Sequence, residues 1–354
     1  MAGQPRFAYI GSRTTRERNA RGDGITVCRV GDDGSLAPVQ VLGDTINPSF
    51  LALNAPGDRL YTVHGDGESC SVFAVQAQHG TLTTLQTQAC EGRNPVHLAL
   101  DPAGAHLIVS NHLSGELASL PVLADGRLAP VAQRVALPGA PGPHRSEQPF
   151  SKPHHNPFDP SGRFVVVPDK GLDRIFVFRC DGGRLLPAAV PHVDTREAAG
   201  PRHVVFHPSG RWLYAINELD STLVAYAFDG RSGALTPLQW LPTLPAHFTG
   251  NSRAAEVAIG ADGRTLYASN RGCDSIEVFA IDAASGWLRH IQSQPAGGRT
   301  PRFFALHPAG GWLYVLNEDS DSVVTLRVAA ADGRLSATGS ALRCGSPVCL
   351  VFGG

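Results

Sequence analysis

Several side chains that could together move a proton and hold an anion recur at matching places along this chain. His154 stands beside His155, Arg202 beside His203, Asn217 beside Glu218 and Asn270 beside Arg271, while Arg13, Glu256 and Arg302 fall at equivalent points in other segments. An imidazole or a carboxylate can act as the general base that takes a proton from an attacking water. Guanidiniums hold carboxylates and phosphates through paired hydrogen bonds, and in a water-poor site they stabilise a developing oxyanion. His154 and Glu218 are the two candidate bases, and Arg202 and Arg271 the candidates for holding the oxyanion or an acidic tail. Arg302, Glu256, His155, His203, Asn270 and Arg13 are expected to contact the substrate. Such a set suits attack of water on an ester-type carbonyl of an anionic small molecule. It equally suits addition of a carboxylate across a double bond, and residue types alone do not choose the direction.

Blander roles compete for some of these positions. Asn111, Asn217, Asn270 and Asn317 form a column whose amides could simply satisfy backbone groups at strand ends. Arg13, Arg16, Arg18 and Arg21 crowd one loop, which adds positive potential to the same face or extends into solvent. Asp169, Glu218 and Glu256 offer oxygen ligands of the kind a hard cation takes, but the interleaved Arg and Lys would repel a dication, so no metal or other cofactor is expected. A non-catalytic binding module is a third reading, and it predicts no convergent His/Glu/Arg group.

Bringing such scattered positions together requires a repeat, and the chain has one. Gly-x-Leu occurs at Gly34, Gly80, Gly126, Gly183, Gly233, Gly286 and Gly333, and a second turn glycine recurs at Gly57, Gly104, Gly162, Gly210, Gly263 and Gly310. Apolar runs such as His203–Phe206 and Trp212–Ile216 flank the second set. Each unit reads strand, turn, strand, loop, strand, turn, strand, and four strands in ~40–50 residues is the period of a propeller blade. Only six units are complete. The segment from Phe7 to Val41 supplies three strands of a seventh, and Pro347–Phe352 supplies its innermost strand, closing the ring and covering both edges. The expectation is one all-β, seven-bladed propeller with four-stranded antiparallel blades spanning residues 1–354.

Within that geometry the first strand of each blade lines the channel and the second runs back beside it. Residues entering first strands and residues leaving second strands therefore share one rim, opposite the second set of glycine turns. The first group includes His154, Arg202, Glu256 and Arg302; the second includes Asp169–Lys170, Asn217–Glu218, Asn270–Arg271, Asn317–Glu318 and Ser12–Arg13. Arg202 and Glu218 are predicted to meet at the channel mouth.

Composition adds exclusions. Lys and Arg total 30 against 31 Asp and Glu, for a net charge of -1, so bulk charge calls for neither nucleic acid nor membrane. No apolar run approaches the ~18 residues of a membrane span. The 7 cysteines are odd in number and lack a Cys-x-x-Cys pair, which reads as buried free thiols. Met1–Pro5 leads straight into an apolar strand without a signal-like region, so a cytoplasmic protein is expected, a monomer or weak homo-oligomer acting on a small anionic lactone or carboxylate.

The runs Lys152-Pro153-His154-His155, Val167 to Arg174, Gly200-Pro201-Arg202-His203, Asn217-Glu218, Ala255-Glu256-Val257 and Ser269-Asn270-Arg271-Gly272 resemble the seven-bladed lactonase family, which includes propeller-type 6-phosphogluconolactonases and fungal carboxy-cis,cis-muconate lactonising enzymes. The resemblance extends over essentially the whole chain. It implies a metal-independent site in which His154, Arg202, Glu218 and Arg271 match the family's proposed catalytic positions. Two features depart from the pattern: the arginine-rich N-terminal loop is longer and more basic, and position 155 carries a second His.

Overall fold

All seven Gly-x-Leu glycines hold positive φ, between 68° and 84°, a left-handed turn that a residue with a Cβ adopts only under strain. Six of the turns feed a Leu into the outermost strand of a blade; in blade 2 Leu128 instead bridges Val122, ahead of the outer strand Gln133–Ala136. The computed structural model describes residues 5–354, so residues 1–4 of the predicted lead-in lie outside the described residues. Seven antiparallel sheets surround a central channel. Blade 1 comprises Pro48–Leu53, Arg59–His64, Ser69–Val75 and Leu82–Ala89, and blades 2, 4, 5 and 6 repeat the pattern from Pro95–Leu100, Pro201–Phe206, Arg253–Ile259 and Pro301–Leu306. Blade 7 pairs the innermost Pro347–Gly353 with Phe7–Ser12, followed by Ile25–Val30 and Leu36–Leu42. The ring closes as expected.

Blade 3 departs from the regular pattern. Its paired strands are Phe164–Asp169, Arg174–Asp181 and Arg184–Asp194. The inner place is taken by an irregular segment touching the second strand only at the bridges Pro153↔Asp169 and Phe158↔Val165. Pro153 stands where the other inner strands also begin with proline, but Pro157, whose carbonyl accepts from Val166 N, has no N–H to return the bond, so the ladder breaks there. His154 lies on this freed segment.

Adjacent blades are stitched by a recurring clamp. The amide of Gln239 donates to the carbonyl of Leu288 at 3.0 Å and accepts from its N–H at 2.7 Å, and Gln40, Gln86, Gln133 and Gln292 do the same to the Leu of the next blade's Gly-x-Leu turn. Tyr61, Tyr214 and Tyr267 donate their hydroxyls to the glycine carbonyl of that same turn. Between these fastenings lie seven apolar cores, one at each blade junction.

What aims the site residues is a bulge at the head of the inner strands. Register shifts fall between Pro48/Phe50, Pro95/His97, Pro201/His203, Ala254/Val257 and Pro301/Phe303. The extra residues are Ser49, Val96, Arg202, Ala255–Glu256 and Arg302. A bulge takes a residue out of the ladder and re-aims its side chain. Five blades use this device to deliver one variable position each to the channel mouth or the channel.

Candidate active site

Glu218 is the hub. It follows the second strand of blade 4 and is 4% exposed, yet four cations reach it. Lys170 Nζ lies 2.9 Å from its Oε1 and Arg253 at 3.5 Å; Arg202 Nε and Arg271 Nη2 each lie 3.2 Å from its Oε2. The predicted Arg202–Glu218 contact is present. Burial alone would favour the protonated acid, but Arg271, Lys170 and Arg202 outweigh it and hold Glu218 well below the usual carboxylate range. A second carboxylate, Glu147, bridges Lys170 at 2.8 Å and Arg253 at 2.8 Å.

The approach of each group is fixed by nearby backbone. Asp169 accepts from the N–H groups of Lys152, Gly171 and Leu172 and from the Ser151 hydroxyl, tying the segment before His154 to the turn that carries Lys170. Asp173 accepts from the N–H groups of Ala198 and Gly200 at 2.7 and 2.8 Å, setting the entry of Arg202. The Arg202 guanidinium also donates to the Ala255 carbonyl at 2.5 Å, and Arg271 to that of Ala254 at 3.1 Å.

His154 is 6% exposed and its Nδ1 has no hydrogen-bond partner. Burial first, then Arg202 and His112, push its pKa well below the usual imidazole value, so the ring is neutral and its unpartnered nitrogen is free for a proton. Below it the channel is filled by rings: His154 and His203 at 5.2 Å between centroids, His155 stacked on His203 at 4.3 Å, His97 against His155 at 4.0 Å and Phe50 against His97 at 4.2 Å. Glu256 faces His203 Nδ1 at 3.1 Å. Burial raises the Glu256 carboxyl to about 8 and depresses His203, which makes this a neutral, hydrogen-bonded pair at pH 7.

The mouth itself is lined by Arg13, Ser49, Phe50, Val96, His154, Arg202, His203, Arg302, Phe303 and Val348 around a gap of about 10 Å³, space for one water-sized sphere. The surface cleft of about 550 Å³ lies among the glycine turns of blades 1 and 2 on the other face. It holds none of these groups, so size does not mark the site here.

The expected residues therefore divide. His154, Arg202, Glu218, Arg271, Arg302 and Arg13 meet at or beside the mouth. Asn270 does not: it is fully buried, and its amide is spent on the Thr243 backbone and on Thr243 and Ser275 hydroxyls. His155 and Glu256 sit within the channel, where they pack against His203 rather than face the mouth. Of the crowded loop, only Arg13 turns inward; Arg18 pairs with Asp66 and Arg21 with Asp321 at 2.6 Å. Three members of the cluster fell outside the expected set. Lys170 shares the column of Glu218 and Arg271, which is a legible signal. Glu147 and Arg253 lie in connecting segments with no periodic mark.

Comparison with known proteins agrees with this fold. The profile "Lactonase, 7-bladed beta-propeller" matches residues 7–352. A 6-phosphogluconolactonase of Bacillus subtilis is 31% identical over 86% of this chain and 87% of its own. Among solved structures, a putative 6-phosphogluconolactonase of Bacteroides fragilis superposes with a TM-score of 0.92 at 25% identity, covering 100% of this chain and 99% of that one. The Pseudomonas aeruginosa periplasmic gluconolactonase PpgL does so with a TM-score of 0.90 at 30% identity, covering 98% and 99%. With its blades and its matched length in accord, this chain belongs to the seven-bladed β-propeller lactonase family.

Proposed function

We propose that the protein hydrolyses an acidic sugar lactone of the 6-phosphogluconolactone kind, with no metal ion and with His154 as the base. The observation that carries this reading is a neutral, buried imidazole with an unpartnered nitrogen beside two buried guanidiniums held on Glu218, those of Arg202 and Arg271, the latter with its Nε unpartnered. Water bound at the mouth gives a proton to His154 as its oxygen attacks the lactone carbonyl. Arg202 and Arg271 take up the charge that develops on the carbonyl oxygen. As the tetrahedral intermediate collapses, His154 returns the proton to the departing ring oxygen, leaving a hydroxy acid that ionises. Glu218 is unsuited to the base role because its cations keep it a weak proton acceptor; it holds Lys170, Arg202 and Arg271 in place. Those cations also occupy the carboxylate oxygens that a dication would need.

The ring-closing reaction left open by residue types finds no support in the relatives named above, which are lactonases by name. No helix among the described residues is long and apolar enough to cross a membrane. All 7 cysteines are free, which favours a reducing compartment such as the cytoplasm. The deciding experiment offers phosphosugar lactones, free aldonolactones and muconates, each with and without chelator. Turnover of a sugar lactone in the presence of chelator supports the reading; turnover of muconates alone, or of nothing, overturns it.

A further inference from the structure

Two guanidiniums at the mouth have almost nothing to bind. Arg13 is 3% exposed, and its side chain makes one hydrogen bond, to Asp66 Oδ2 at 3.4 Å. That carboxylate is already engaged by Arg18, whose Nε lies 2.7 Å away and whose Nη2 also contacts it. Arg302 makes no side-chain hydrogen bond among the described residues, and its nearest carboxylate, Glu318, is 3.9 Å distant. A guanidinium carries five donors in a fixed fork; Arg13 is buried and Arg302 half-buried, its side chain 21% exposed, so both keep donors that protein groups do not match. Both side chains line the same gap as Arg202 and His154, and no carboxylate lines it. The mutual repulsion registers: after burial, Arg302 is the largest influence lowering Arg13, to about 10, and Arg202, to about 9. Such a rim attracts an anion of more than one charge resting over the mouth.

The route that brings Arg13 there is specific. Its backbone is pinned, with Arg13 N donating to Ser346 O at 3.0 Å and Gly22 N donating to Arg13 O at 3.1 Å. The guanidinium then passes over Gly65, where a Cβ would stand 2.2 Å from Arg13 Nη1 and 2.8 Å from Ser49 Oγ. Gly65 occupies the rim position that holds Lys170 in blade 3, Glu218 in blade 4 and Arg271 in blade 5. At this one place the rim side chain is omitted, and Arg13 from blade 7 fills the room.

We propose that Arg13 and Arg302 form a second subsite that reads a doubly charged, phosphate-type tail on the lactone, leaving His154, Arg202 and Arg271 for the ring carbonyl. This rests on the lactonase reading and adds to it a basis for choosing a phosphorylated over an uncharged substrate. The measurement is the ratio of kcat/KM for 6-phosphoglucono-δ-lactone to that for glucono-δ-lactone, taken on one preparation so that the folded fraction cancels. The parent should favour the phosphorylated lactone, and Arg13→Gln should cut the ratio by about tenfold or more, the worth of a charge-assisted hydrogen bond. Gly65→Ser should cut it too, by displacing the flexible end of Arg13 without touching a charged residue. A parent ratio near one, or a ratio unmoved by both variants, overturns the subsite while leaving the lactonase intact. Hydrolysis of neither lactone overturns the underlying reading.

Discussion

Glu218 and Glu256 are both buried carboxylates of this ring, yet their protons behave oppositely. Glu218 keeps its charge because Arg271, Lys170 and Arg202 surround it; Glu256 keeps its proton because it faces a neutral imidazole in a dry channel. Removing one cation tests the first statement. Lys170→Met should raise the Glu218 pKa, so the acid limb of the kcat/KM profile should move to higher pH, with kcat down roughly tenfold or more for a displaced Arg202 and Arg271; an unchanged acid limb would show that Lys170 does not hold Glu218. The second statement predicts a stability slope. With a folded pKa of about 8 against about 4.3 unfolded, Glu256 binds more protons folded than unfolded between those values. Its contribution is complete below pH ~4 and lost as pH rises through 8. Glu256→Gln should therefore gain stability relative to the parent as pH is raised from 5 to 9, read from paired Tm values, and a constant difference would refute the protonated pair. At this scale residue type was a fair guide. Arg202, Glu218 and His154 met as their columns required, whereas Asn270 did not, because an amide that serves a backbone is chemically identical to one that serves a ligand.

Strands place these side chains through two devices that leave different traces in sequence. The turn glycines recur in register and are easily read. The bulges at Ser49, Val96, Arg202, Ala255–Glu256 and Arg302 are marked only by the proline that precedes four of them, since the extra residue can be of any type and its effect is a rotation of the strand. The irregular inner segment of blade 3 shows only as Pro157, and Glu147 reaches Arg253 across 106 residues, a separation over which no periodicity operates. The glutamine clamp is periodic but hides among polar surface residues. Its role is structural, so Gln239→Ala should cost about 1–3 kcal/mol for the two bonds to Leu288, seen as a lower denaturation midpoint with KM unchanged. Equal midpoints for variant and parent would mean that the clamp adds nothing between blades 4 and 5.

A closed ring distributes its support over every junction and depends on one seam. Blade 7 is formed from both ends of the described chain, and Pro347–Gly353 pairs along the whole of Phe7–Ser12, the strand that leads into Arg13. Removing residues 347–354 should bare that strand's edge, open the seam core around Cys349 and Leu350, and yield aggregated or unfolded protein. A truncated chain that melts with the parent's cooperativity would contradict closure by this strand. The seam was legible because six whole units and two complementary fragments admit few other arrangements. The small size of the mouth was not, since it depends on how far Arg202, Arg302 and Arg13 reach inward. With a gap of about 10 Å³, the sugar ring rests over the mouth and presents its carbonyl to His154. The most direct test of that claim is the rate of 6-phosphoglucono-δ-lactone hydrolysis in excess chelator, corrected for spontaneous opening, for the parent and for His154→Ala. The account predicts that the parent keeps its full rate and that kcat of the variant falls by ~10²–10⁴; equal rates for the two proteins, or loss of the parent's activity to the chelator, would contradict it.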